Sequence, residues 1–203
     1  MSVRFNFKDC AIFGVDLQNC FGHSQGGLYV GSPKKILKQG NKLVSHAKRA
    51  GSLIIFSADW HPPDSDHFQP IGPWPPHGIA YTWDAEFLSG LNISPGSIIL
   101  YKGTEKTQHG YDPFEGKTKN NKTTREVLDK NKVTKIVFWG IATNYCVKAG
   151  VLTACKLEKY KVYLALDACL AINTNPGDEQ KAIDEMKKAG AIITSVKEII
   201  NGK

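Results

Sequence analysis

No apolar run in the sequence approaches the roughly 20 residues that a membrane-crossing helix requires, and the opening MSVRFNFKDC carries no apolar signal core. A membrane protein or a secreted one is therefore not expected, and the cytoplasm is the expected compartment. Cysteine is sparse and shows no pairing pattern. Cys10, Cys20, Cys146, Cys155 and Cys169 form an odd set without a C-x-x-C pair, which argues against a disulfide framework and against a structural zinc knot. Nor is there a dense basic stripe. The net charge is +7, but lysines such as Lys34, Lys35, Lys38, Lys42 and Lys48 are spread as on solvated helix faces. With no zinc-finger, homeodomain or RNA-recognition signature, nucleic acid is not an expected partner. Internal repeats and interdomain linkers are also missing, so residues 1–203 read as one domain, long enough to bury its own core.

What the sequence does hold is a regular alternation. Short, β-rich apolar runs at 11–15, 53–56, 97–101, 135–139, 162–166 and 191–194 are nearly continuous in hydrophobicity, which means burial on both faces. Between them, helical spacing fits 32–50 with Ser32 as N-cap before Pro33, then 123–130, 144–159, and 178–189 closed by Gly190. The expected fold is α/β, three layers in the order α/β/α, around a mostly parallel central sheet of about six strands. Such sheets bind ligands outside the carboxyl ends of their strands. The first strand ends at Asp16, the second at Asp59 and the third at Lys102, and the fourth leads through Gly140 to Cys146 at a helix start.

Cys146 stands in FWGIATNYCVKAG, where a buried strand turns into a helix whose expected cap is Thr143 or Asn144. The positive end of a helix dipole lowers a thiol pKa, and free backbone N–H groups there can receive an oxyanion. Taken alone, Cys146 reads more readily as a small buried hydrophobe, as Cys155 and Cys169 do. Asp16 alone reads as a turn aspartate, and Lys102 alone as a lysine snorkelling at the sheet rim. Together they permit covalent catalysis: the thiolate attacks an amide, the carboxyl group protonates departing ammonia, and the ammonium holds both. No histidine stands near them in sequence, which disfavours a papain-like pair.

The segment SADWHPPDSDHFQPIGPWPPHG offers Asp59, His61, His67 and His77, a donor set suited to zinc, iron, manganese or cobalt. Asp64 and Asp66 compete as carboxylates but fit a solvated turn better. Six prolines stiffen this loop, at 62, 63, 70, 73, 75 and 76. Phe21 and Trp74 are candidates for flat apolar walls around an aromatic substrate.

These residues resemble the nicotinamidase and pyrazinamidase branch of the isochorismatase-like cysteine hydrolases. The likeness runs from VDLQNCF through SADWHPPDSDHF, WPPH and YKGT to GIATNYCVKA and LALDAC. It implies hydrolysis of nicotinamide to nicotinate and ammonia in NAD salvage, with pyrazinamide as a surrogate. Asp16, Lys102 and Cys146 match the family triad, and Asp59, His61 and His77 match the metal ligands, with His67 completing the site in many members. One divalent metal ion is implied, zinc first and iron or manganese as alternatives, placed against the pyridine nitrogen. The resemblance also implies a cis peptide between Ile141 and Ala142, an oxyanion hole from the Ala142 and Cys146 amides, and substrate contacts from Phe21, Trp74 and Ile141. A homo-oligomer is compatible with this reading. The chain departs from the family at Asn144, and in GIAYTWDAEF, where Tyr81 and Trp83 are expected to add bulk to the pocket wall. His109 and Tyr111 have no assigned role. The rival readings are a metal-water hydrolase with a structural Cys146, an amidase for another small amide, and a non-catalytic binder of the pyridine.

Overall fold

Each of the six apolar runs becomes a strand, and all pair in parallel. In a computed structural model that describes residues 5–202, these are β1 (Cys10–Val15), β2 (Leu53–Asp59), β3 (Ile98–Lys102), β4 (Lys135–Ile141), β5 (Lys161–Leu170) and β6 (Ile192–Thr194). They lie in one sheet in the order β3-β2-β1-β4-β5-β6. The direction of winding reverses between β1 and β4, and a crevice opens at such a switch point beyond the carboxyl ends of the strands. Asp16 follows β1 and Cys146 follows β4, so the two flank that crevice.

Alternation along each strand divides the apolar side chains between two cores. Ile12, Phe56 and Trp139 face a layer formed by α2 (Lys34–Arg49) and α6 (Val196–Asn201). Ala11, Phe13, Val15, Ile55 and Phe138 face α3 (Thr124–Lys130), α4 (Lys148–Lys156) and α5 (Asp178–Lys188). The three-layer architecture is thus the one the sequence predicts. In α2 the buried residues Ile36, Gly40, Leu43, Val44 and Ala47 recur at helical spacing and make one apolar stripe. No helix among the described residues is long and apolar enough to cross a membrane.

Several boundaries differ from the sequence expectation. Helix α2 begins at Lys34 with Pro33, not Ser32, as its N-cap. The expected helix over 144–159 is a π-helical turn, Thr143–Val147, followed by α4, which ends at Lys156 shortly before Glu158 adopts a left-handed φ of 52°. Neither Thr143 nor Asn144 caps it: the N-cap is Ala142, and the Asn144 side chain instead binds the Ile172 backbone, donating to O at 2.7 Å and accepting from N at 3.0 Å. The sequence reading missed the short helix α1 (Asn19–Gly22) and also α6, although Ser195 and Glu198 form the capping box that starts α6.

Residues 60–81 and 103–121 fold over the carboxyl ends of β1, β2 and β3. They are stitched together by backbone bonds, including His61 N to Gly78 O at 3.0 Å and Asp66 N to Lys106 O at 2.8 Å. Two connections of this length, held so firmly above strand ends, form the wall of a site.

Helix α2 packs tightly on the sheet at Gly40, where an added Cβ would lie 1.8 Å from Cζ3 of Trp139, a ring with no solvent exposure. On an exposed helix, Gly→Ala gains about 1 kcal/mol. Here the ring and the helix cannot separate cheaply, so Gly40→Ala is expected to destabilise by about 2 kcal/mol, read as a lower urea midpoint. An unchanged or higher midpoint would show that Trp139 can move aside.

Candidate active site

The centre of the site is the ammonium of Lys102, brought by the end of β3 into full burial. It donates to Asp59 Oδ1, to the Gly110 carbonyl oxygen and, at 3.6 Å, to Cys146 Sγ, and it lies 2.8 Å from Asp16 Oδ2. An ammonium has three hydrogens. Four acceptors share them: the contact to sulfur is the longest, and Asp16 Oδ2, at 2.8 Å, forms a close ion pair with the ammonium. The other oxygen, Oδ1, accepts from Ser57 Oγ at 2.8 Å. Asp16 has a left-handed φ of 50°, which turns the chain sharply out of β1, and its amide donates to Ser57 O at 3.2 Å.

Burial and charge set the protonation states. Burial pushes the Asp16 carboxyl up, and although Lys102 opposes this, its pKa stands at about 6. Asp59 is buried as well, but Lys102, His61 and His77 outweigh that and hold its carboxyl below the usual range. Burial alone would discharge Lys102; Asp16, Asp59 and Cys146 reverse this and hold the ammonium charged. The Cys146 thiol is pushed well above its usual range, first by burial and then by the two carboxylates, against the pull of Lys102. This corrects the sequence expectation of a thiol acidified by a helix dipole. The local backbone is a π-helical turn, and desolvation dominates. Asp16, Asp59 and Cys146 have donor atoms within 4.8 Å of one another, but the place a cation would take among them is filled by the Lys102 ammonium.

Beside this triad, His61, His67 and His77 each point one donor atom into a cluster within 4.8 Å. Nε2 of His61 lies 3.7 Å from Asp59 Oδ1, and Nε2 of His77 lies 3.9 Å from Asp59 Oδ2. Among the described residues neither ring nitrogen of buried His61 makes a well-formed hydrogen bond, although the Gly103 backbone lies beside the ring, an arrangement that costs free energy unless something else engages them. Burial holds His61 down at about 4 and His67 at about 3, so both imidazoles are neutral at neutral pH, as metal ligands must be. Three imidazoles around one carboxylate fit a divalent cation. Gly103 makes the packing feasible: a Cβ there would sit 2.3 Å from Cε1 of His61, and its φ of 66° is left-handed. Asp64 instead faces solvent and pairs with exposed Lys106 at 3.2 Å.

A narrow cavity connects the two groups, lined among others by Asp59, His67, His77, Ala142 and Cys146. Phe21 and Trp74 also line it, as expected. Phe21 packs edge-on to His77 at 5.4 Å, and Trp74 donates through Nε1 to Tyr111 Oη at 2.7 Å. Asp16 and Lys102 lie beneath the sulfur. Ile141, the last residue of β4, is buried in the same apolar cluster as Phe21 and Ala142 but is not among the residues around the cavity. Tyr81 and Trp83 do not thicken the pocket wall either: Tyr81 is 90% exposed beside Trp60, and Trp83 packs edge-on to His23. The sequence reading missed Ser57, Tyr145 and Gln18. The Gln18 amide accepts from Asp59 N at 2.8 Å and donates to Asp59 O at 2.9 Å, fixing that residue's backbone. The position of Gln18 in VDLQNCF, directly after a strand end, was the available signal.

Residues 10–198 match the isochorismatase domain family. The chain belongs to the isochorismatase-like hydrolases. It is 30% identical over 200 residues to the nicotinamidase of Escherichia coli (strain K12), an alignment that covers 90% of this chain and 93% of that protein. Among solved structures, the pyrazinamidase of Pyrococcus horikoshii in complex with zinc is 35% identical with a TM-score of 0.82, covering 92% of this chain and 99% of that one. The Acinetobacter baumanii nicotinamidase is 26% identical with a TM-score of 0.82, covering 95% and 98%.

Removing the ammonium leaves Asp16 and Asp59 facing each other in a buried space. Lys102→Met is expected to cost about 3–5 kcal/mol of folding stability, measured by urea denaturation at neutral pH. Adding Asp16→Asn should recover part of the loss. A double variant no more stable than the single one would show that carboxylate repulsion is not the cause.

Proposed function

We propose that the protein is a nicotinamidase that hydrolyses nicotinamide to nicotinate and ammonia through a thioester on Cys146, with pyrazinamide as an alternative substrate. The observation that carries this reading is one buried ammonium in contact with both Asp16 Oδ2, at 2.8 Å, and the Cys146 sulfur, at 3.6 Å, with the carboxylate and the thiol within 4.8 Å of each other. The identity to the E. coli nicotinamidase and the P. horikoshii pyrazinamidase supports the substrate class. An NAD-salvage role follows from that substrate.

In the proposed first half-reaction, Asp16 Oδ2 takes the thiol proton as sulfur bonds to the carboxamide carbon, so the thiolate forms only as it reacts. Lys102 stays protonated and steadies both partners. The backbone amides of Ala142 and Cys146 receive the oxyanion. As the C–N bond breaks, Asp16 returns the proton to nitrogen and ammonia leaves. In the second half, Asp16 takes a proton from water as its oxygen attacks the thioester; the C–S bond breaks and the thiolate recovers that proton. Asp59, His61, His67 and His77 would hold a divalent metal, with zinc favoured by the zinc complex of the P. horikoshii relative. When bound, that ion supplies a Lewis-acidic partner for the pyridine nitrogen, which fixes the ring. Buried Phe21 and half-buried Trp74 flank the ring and limit the access of bulk water to it.

Ammonia release from nicotinamide is expected to fall by at least about a thousandfold in Cys146→Ala, with zinc binding retained. Mass spectrometry of the quenched wild type should show an acyl adduct on Cys146. Full turnover by the variant would remove the thiol mechanism in favour of metal-bound water. A second check is pH: Asp16 must be a carboxylate to accept the proton, and its pKa is about 6. The rate should therefore fall as pH drops through about 6, and a profile flat well below that value would contradict the role of Asp16.

A further inference from the structure

An imidazole that offers one nitrogen to a cation carries a proton on the other, and that proton needs an acceptor. His77 has one in the backbone: its Nδ1 lies 2.8 Å from the Pro75 carbonyl oxygen. His61 is wedged, fully buried, against Gly103. His67 has neither arrangement. Its Nδ1 faces Nδ1 of His109 at 3.3 Å, with the ring centroids 5.5 Å apart.

Two ring nitrogens this close require one donor and one acceptor. If His67 presents Nε2 to the cation, its Nδ1 bears the proton and donates it to the lone pair on His109 Nδ1. The proton of His109 then sits on its own Nε2. His109 comes from a different strand end than the histidine loop, and its ring lies nearly parallel to Tyr111 at 6.3 Å, whose hydroxyl holds Trp74. His109 is thus braced beside the aromatic wall, lines the cavity and is exposed at its rim.

We infer that His109 is a positioning residue for His67, fixing that ligand's tautomer and ring plane and so setting how tightly the site holds a divalent cation. The inference rests on the reading of His61, His67 and His77 as metal ligands. It also gives a role to the one histidine of the segment KTQHGYDPF, which the triad and the ligand set leave unused.

The test is zinc affinity of the metal-stripped full chain, by competition with a chromophoric chelator, together with the visible spectrum of the cobalt(II) form. His109→Ala should bind zinc about 10- to 100-fold more weakly and shift the cobalt bands. His109→Asn places a side-chain oxygen near the position of the lost Nδ1, and should restore affinity and spectrum close to wild type. Unchanged affinity in His109→Ala, or an Asn variant as weak as the Ala variant, would overturn the inference. His67→Ala serves as the reference for loss of the ligand itself. Folded wild type that binds no zinc would instead overturn the underlying metal reading, which separates the two failures.

Discussion

The Lys102 ammonium is the contact on which both halves of the site depend. It touches Asp16 and Cys146 on the reactive side and Asp59 on the histidine side. A single positive charge, fully buried, is tolerable only because two carboxylates face it, and two buried carboxylates are tolerable only because it is there. The three strand ends are therefore bound by mutual need. Moving any one of them would strand a charge in a low-dielectric interior, and this keeps the geometry of the proposed catalytic groups fixed before any substrate arrives.

The switch in strand order makes the meeting geometrically available. Strands β1, β2 and β3 are neighbours, so Asp16, Asp59 and Lys102 stand side by side along one rim, and β4 supplies Cys146 from the other side of the reversal. The register pairs Asp59 directly with Lys102. Ser57, two residues back on β2, points the same way as Asp59 and so reaches Asp16.

Much of this was legible in the sequence, because period and punctuation carry it. Near-continuous apolar runs gave the strands and their burial, and polar residues placed directly after such runs marked the rim. The ends of the helix after β4 were less legible. A π-helical turn has no distinct periodicity over five residues, and the turn is held by Asn144 bonding to Ile172, a partner 28 positions away. The direction of the thiol pKa shift was misread for a related reason: local sequence suggested a helix dipole, whereas the dominant effect is desolvation by the assembled fold. The substrate contact of Ile141 rests on resemblance alone, and strand alternation sets its side chain in the same apolar cluster as Phe21 and Ala142. Tyr81 and Trp83 were read as pocket bulk because they are near in sequence, but the backbone turns outward at Tyr81, whose φ is 63°.

Desolvation ties these observations together, since the same exclusion of water acts on Asp16, Cys146, His61 and His67. It raises the Asp16 carboxyl to about 6, where a carboxylate is basic enough to take a proton and acidic enough to return it near neutrality. It keeps His61 and His67 uncharged, so that no proton has to be displaced before a cation binds. It also holds Cys146 as a thiol, so that in the proposed mechanism activation falls to Asp16 at the moment of attack and not to a standing thiolate. A more open site would lose all three properties at once. The long loops over the strand ends are therefore as much a part of the chemistry as the side chains they cover.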